Sequence, residues 1–276
     1  MKTILVPTDY SPTADNAIEY AADLARYTDS KIILLHVYHL PVITTEVPSQ
    51  VLYDIEDIEK ENNKRLEKVK NEILLKYPGT IIQTCLKIGF SGEEIINVAE
   101  EKKLDMIVMG IQGASAVKEF IVGSTTSSVV RKAHCPVMVI PDEVKFNAPD
   151  YIVFACDYGE DFTNKNMWSK VKGFINMFKS KMYLLNVLKA EELIHMHKVA
   201  TGLEIDNYLE NISYSVHFLQ GNNLIDRIND FINQKKAKML IMLPKRYTFF
   251  ERLFHKSSTK KMIFHAHVPV LTLHAE

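Results

Sequence analysis

The sequence predicts two tandem α/β domains, each a doubly wound, five-stranded and mainly parallel sheet with helices on both faces. Three observations carry this. Short β-branched apolar runs alternate with longer segments of helical periodicity, the order that builds a parallel sheet with crossover helices. The alternation breaks at "PDEVKFNAPD" (141–150), with its two prolines, and then restarts. Finally, the halves align. "YIVFACDYGEDF" mirrors "TILVPTDYSPTA", "KMYLLNV" mirrors "KIILLHV", and "KMLIMLPKRYTFFERLFHKSSTKKMIFHAHVPVLTL" lies on "DMIVMGIQGASAVKEFIVGSTTSSVVRKAHCPVMVI" without a gap. A period of this length is too long for a solenoid repeat and suits a duplicated domain. The expected domains are residues 1–142 and 149–276.

Each element of the first repeat has a local reason. "TILVP" (3–7) is short, apolar and β-branched, as a strand covered on both faces should be. Ser11-Pro12 offers an N-cap followed by proline at the first helical position, and Ala17, Ala21, Ala22 and Leu24 continue at helical spacing towards Tyr27. "KIILLHV" (31–37) is the second strand, and a charged amphipathic helix follows over about 51–77. "TIIQTCLKIG" reads as strand, "EEIINVAEEKK" as helix, "DMIVMG" as strand, "STTSSVVRKA" as helix and "PVMVI" as the closing strand.

Composition narrows the function classes. The 276 residues are 47% hydrophobic and 24% charged with net charge −1, so bulk electrostatics select neither nucleic acid nor an anionic membrane. No apolar stretch approaches the roughly 20 residues of a membrane-spanning helix, and "MKTILVPTDYSP" lacks a long apolar leader region. Cys85, Cys135 and Cys156 are scattered, each in an apolar run. Buried reduced thiols in a cytoplasmic protein are the expectation.

The stretch "VMGIQGASAVKEFIVGSTTSSVV" (108–130) carries the functional signal. In an open parallel sheet, ligands sit beyond the carboxyl ends of the strands. There the first strand ends in "PTDYS", the second in "HV" and the fourth in "MGIQG". Gly110 and Gly113 carry no Cβ and permit close approach of a ligand to backbone. Gly123, Ser124, Thr125 and Thr126 open a helix whose free N–H groups and dipole favour an anion. Taken singly, each glycine reads as a turn, and Asp9 reads as part of a helix cap. Their combination behind the fourth strand points to a phosphate-bearing ligand.

The spacing Gly110-x2-Gly113-x9-Gly123-Ser124 resembles the ATP-binding signature of the universal stress protein family. "ILVPTDYSPTADNAIEYAADLA" is similar to that family's opening and "AHCPVMVIP" to its closing strand. The resemblance covers the first repeat and extends to the second in architecture. It implies an ATP-binding regulatory protein of the stress response. Pro7, Thr8 and Asp9 would line the adenosine side, and Val37 would pack on adenine with its backbone offering hydrogen bonds. Met109 and Gly110 would approach the ribose, and Gly113 the phosphates. Gly123, Ser124, Thr125 and Thr126 would bind the triphosphate, with Mg2+ or Mn2+ bridging its oxygens. It also implies that the last strands pair between the repeats as an internal pseudo-dimer, with a homodimer of chains open.

Competing chemistries fit less well. There is no G-x4-G-K-[ST] and no G-x-G-x-x-G after the first strand, and Asp9 lacks the acidic companions of a receiver domain. No nucleophile–base pair adjoins the glycine loop, so binding without fast turnover is expected. A slow ATP hydrolase and a non-nucleotide interaction protein are the alternatives. His195/His197 and His265/His267 form H-x-H pairs in expected helical context without a cysteine at metal-ligand spacing, which gives no metal site. In the second repeat Leu243, Arg246 and Lys256 stand where Gly110, Gly113 and Gly123 stood, and Ala155-Cys156 replaces Pro7-Thr8, although Asp157 remains. That repeat reads as a degenerate partner, or as a site for another anion. "KRYTFFERLF" (245–254) interleaves basic and aromatic residues as a covered helix or a partner surface would.

Overall fold

The computed structural model describes residues 1–40, 48–111, 123–156, 164–188, 208–220, 224–243 and 267–274, with backbone alone at 48–54, 187–188 and 224–225. The described residues form two compact units that divide between Phe146 and Asn147.

In the first unit the elements run β1 (Thr3–Thr8), α1 (Pro12–Thr28), β2 (Lys31–Tyr38), α2 (Pro48–Lys76), β3 (Ile81–Ile88), α3 (Ser91–Glu101), β4 (Met106–Gly110), α4 (Ser124–Lys132) and β5 (Val137–Ile140). The strands stand in the order β3-β2-β1-β4-β5, all parallel. The winding reverses between β1 and β4, which fixes the crevice at their carboxyl ends as the place for a ligand. Helix α1 starts where expected: Ser11 accepts from Ala14 N–H through its side chain, and Pro12 occupies the first turn. Ile4, Leu5, Val6, Ile107, Val108 and Val137 are wholly buried, so the central strands are covered on both faces.

The two faces carry different helices. Thr84 of β3 donates to Glu67 of α2, whereas Lys87, an odd number of residues further along the strand, pairs with Glu101 of α3 at 3.6 Å. Because strand side chains alternate, α2 and α3 lie on opposite faces. Lys76 of α2 reaches Glu19 of α1, and Gly92 of α3 packs against Ser128 of α4. One face therefore holds α1 with α2, and the other α3 with α4.

The second unit repeats the plan with β6 (Tyr151–Ala155), α5 (Lys165–Phe178), β7 (Lys181–Leu188), β8 (Tyr214–Gln220), α6 (Leu224–Lys235), β9 (Met239–Met242) and β10 (Val270–Thr272). Its strands are also parallel, in the order β8-β7-β6-β9-β10, the same order as the first unit. The duplication reaches individual hydrogen bonds. Ile107 N–H donates to Pro136 O, and Leu240 N–H to Pro269 O. Lys31 N–H donates to Lys2 O, and Lys181 N–H to Asp150 O. Trp168 anchors this core, 1% exposed, edge-on to Phe154 and stacked on Tyr208.

Two expectations change. The three cysteines are half-buried rather than buried, because each lies at an edge or end where one flank meets water. Cys85, on the edge strand β3, shows burial enough to push its thiol upward. His267 lies in a bend before β10 and not in a helix, since Pro269 sets the extended entry to that strand. His195, His197 and His265 lie outside the described residues.

Candidate functional site at the carboxyl ends of the first sheet

β1 delivers its last residues to the crevice as a tight turn. Asp9 Oδ1 accepts from Ser11 N–H at 3.1 Å and from Ser11 Oγ at 2.6 Å, and Tyr10 N–H donates to Thr8 Oγ1 at 3.0 Å. The two bonds from backbone N–H groups to side chains, Ser11 to Asp9 and Tyr10 to Thr8, replace a continuing strand. Tyr10 is forced to φ +62°, a conformation unusual for an aromatic residue. Asp9 is exposed, Pro7 half-buried and Thr8 buried. Asp9 thus shapes the turn and presents a carboxylate at the rim.

β2 places Val37 beside it. Lys31 N–H bonds across to Lys2 O, on the β1 side, while Tyr38 O accepts from Gly89 N–H on the β3 side. Backbone groups alternate along a strand, so odd-numbered residues of β2 face β1. Register pairing with β1 ends at Thr8 with His36. The next donor in register, Tyr10 N–H, has turned to Thr8 Oγ1. The carbonyl of Val37 therefore opens onto an edge that β1 has left. Lys87, paired with Val37, contacts α3, so the half-buried Val37 side chain faces α3 and α4.

Behind this edge sits a cluster that sequence reasoning missed. His36 is buried and its Nδ1–H donates to Thr8 O at 2.8 Å. Its ring lies 4.4 Å from that of Tyr10, and the Arg65 guanidinium sits 3.9 Å above the Tyr10 ring. Burial holds the His36 pKa below the ordinary histidine value, against the Thr8 hydrogen bond. Burial likewise pushes Tyr10 up to about 12, the Arg65 charge opposing. Only a "DYS" turn followed by an H-x-Y strand end hints at this in sequence.

β4 and α4 supply the other half. Met109 and Gly110 end β4 fully buried. A Cβ on Gly110 would stand 2.6 Å from Thr13 Cγ2 and 2.9 Å from Thr13 O. Glycine here lets the first turn of α1 close onto β4. Gly123 N–H donates to Ile111 O at 2.8 Å, clasping the two ends of the intervening segment. Thr126, 3% exposed, donates its hydroxyl to Gly110 O at 2.9 Å. Ser124 is exposed and Thr125 half-buried. Whereas Ser11 and Asn164 cap α1 and α5, no side chain among the described residues caps α4. Its first N–H groups and its dipole face the crevice, as an anion requires. Gly113 lies outside the described residues, as do Asp157, Arg246, Lys256 and residues 245–254.

Among the described residues no cluster of three His, Cys, Asp or Glu side chains is arranged to hold a metal ion. No described helix is long and apolar enough to cross a membrane.

Comparison with known proteins follows the same outline. The model of the "Universal stress protein family" matches residues 1–141. Universal stress protein MJ0577 of Methanocaldococcus jannaschii is 30% identical over 156 residues, which cover 50% of this chain and 94% of that protein. Universal stress protein YxiE of Bacillus subtilis is 32% identical over 145 residues, 50% of this chain and 97% of its own. A crystal structure of a universal stress protein from Archaeoglobus fulgidus superposes with a TM-score of 0.67 at 20% identity, covering 99% of this chain and 98% of that one. The first two are as long as one repeat, and the third shares the fold of the whole chain. The chain belongs to the universal stress protein family.

Proposed function

We propose that the first unit binds ATP in the cytoplasm as a regulatory protein of the stress response, with one nucleotide site per chain. The observation that carries this reading is the pairing of the α4 N-terminus, which no described side chain caps, with the open Val37 carbonyl, both at the carboxyl ends of the strands in the β1/β4 crevice. Adenine suits the Val37 carbonyl, because its exocyclic amino group donates where guanine presents an acceptor. Pro7, Thr8 and Asp9 line the adenosine side, with Asp9 at the rim for a ribose hydroxyl. Met109 and Gly110 form the floor beneath the ribose, and Gly113 lies against the phosphates.

The phosphates meet the N–H groups of Ser124, Thr125 and Thr126. Gly123 contributes by its missing Cβ, since its N–H is held by Ile111 O. The Ser124 and Thr125 hydroxyls add donors, while the Thr126 hydroxyl holds Gly110 in place. A divalent cation, Mg2+ or Mn2+, would take its ligands chiefly from phosphate oxygens, with the Ser124 and Thr125 hydroxyls beside it. Its contribution is neutralisation of the triphosphate.

Calorimetric titration of the purified chain with ATP and Mg2+ tests this reading. Saturable binding at one site is expected. No heat at millimolar ATP, and no nucleotide released from denatured protein, would favour an interaction protein that keeps the fold alone.

A further inference from the structure

We propose that Phe90, backed by His39, is a stacking wall for the nucleobase in the first unit, a specificity element that rests on the nucleotide reading above. Phe90 is 71% exposed. It occupies the N-cap of α3 at φ −82°, ψ 121°, and makes no side-chain cap hydrogen bond. Serine, threonine, aspartate or asparagine is preferred there. An exposed phenylalanine serves neither the helix end nor the core, so the fold does not account for it.

The chain around it is built to aim the ring. Gly89 adopts φ +145°, which side-chain-bearing residues rarely do, and turns the backbone between β3 and α3. Its N–H bonds to Tyr38 O at 3.1 Å and pins that turn to the end of β2, next to Val37. The His39 ring meets Phe90 with centroids 5.6 Å apart and a 62° tilt, an edge contact that supports the ring from one side. The Val37 side chain faces α3, as the Lys87–Glu101 pair on the neighbouring strand shows. The Val37 side chain, the α3 N-terminus with Phe90 and the first turn of α4 therefore share one face of the sheet, and the in-plane carbonyl of Val37 opens at the carboxyl edge beside them. A nucleotide with its phosphates on α4 and its amino group on Val37 places its base beside Phe90. Base–aromatic stacking tolerates any base in principle and favours the larger π-surface of a purine. The carbonyl then selects an aminopurine among purines.

Calorimetry on the full chain with ATP, CTP and inorganic triphosphate, each with Mg2+, separates this from a structural role. Phe90→Ala should weaken ATP about tenfold and leave triphosphate unchanged. Phe90→Trp should retain ATP affinity, and ATP should change its tryptophan emission, whereas the parent, whose lone Trp168 is buried in the second unit, should show no change. An unchanged ATP affinity in Phe90→Ala, an equal loss for triphosphate, or a silent Phe90→Trp emission would overturn the stacking role while the nucleotide reading stands. A parent chain that binds none of the three ligands would overturn both.

Discussion

The two units share a strand order and matching ladder bonds, yet they differ at the end of the fourth strand of each. In the first unit Gly110 leaves no room for a Cβ against Thr13. In the second, Leu243 stands in the same place in the alignment and is 8% exposed. One skeleton thus carries either residue, so glycine is not a requirement of the sheet. It is a requirement of bringing the α1 turn, with Thr8, Asp9 and Ser11, hard against the β4 end. The same contrast recurs at the second strand. His36 of β2 and Asn186 of β7 hold matching positions, both buried and polar, but only His36 can titrate near neutrality. The units keep the shape of the crevice and differ in its chemistry.

Exchanging residues between units should break this contrast most sharply at the glycine. Gly110→Leu should destabilise the first unit by about 2–3 kcal/mol through overpacking against α1 and abolish ATP binding, checked by urea unfolding and calorimetry. Gly123→Val and Gly113→Val should remove binding with a smaller loss of stability. Wild-type affinity in all three would place the ligand elsewhere.

Stoichiometry sharpens the comparison next. With Leu243 filling the matching corner, ATP should bind at one site per chain, measurable by calorimetry or equilibrium dialysis. A chain ending after Phe146 should bind the same amount. The truncation point is set by Lys145, which donates to Asn16 and Glu19, and by Phe146, which packs edge-on against Tyr20. Two sites in the full chain would overturn the assignment of the second unit as a partner without ATP.

His36 gives a smaller, pH-dependent difference. Its folded pKa lies below the ordinary value of 6.5 because burial disfavours the charged ring. Above pH 6.5 the ring is neutral folded and unfolded, and stability is fully present. As pH falls from 6.5 towards the folded value, the unfolded chain binds the proton first and stability is lost, by at most about 1.4 kcal/mol per pH unit. Asp9, Asn62 and Arg65 surround the ring and set the size of the effect. His36→Asn, which installs the residue of the second unit, should flatten this slope in thermal melts from pH 7 to 5. A slope unchanged by the substitution would move its origin elsewhere.

The smallest effect expected is at the surface. Lys145→Ala removes an exposed partner of Glu19, which keeps Lys76, and should cost under about 1 kcal/mol. A larger loss in urea unfolding would make the 141–146 segment a structural strap on α1.

How much of this was legible in sequence depended on the range of each interaction. The start of α1 was readable because Ser11 and Pro12 act within one turn. The sequence pattern starts α3 two residues late, since Phe90 at the N-cap carries no capping signature. In sequence Gly110 reads as making space for a ligand. Its contact with Thr13 joins residues almost a hundred positions apart, which no local pattern reveals. Val37 was singled out by family resemblance, but its open carbonyl follows only from the register of β1 on β2. The His36–Tyr10–Arg65 cluster is no more than hinted at in sequence for the same reason, as it draws on a strand, a turn and a distant helix.

The bond from Gly123 N–H to Ile111 O has a further consequence, for engineering. A segment whose two ends are already joined does not need to span any distance, so its length is nearly free. Closure entropy rises by only about 0.6 kcal/mol for each doubling of loop length. A change in chain length between these two residues should therefore leave β4 and α4 in place.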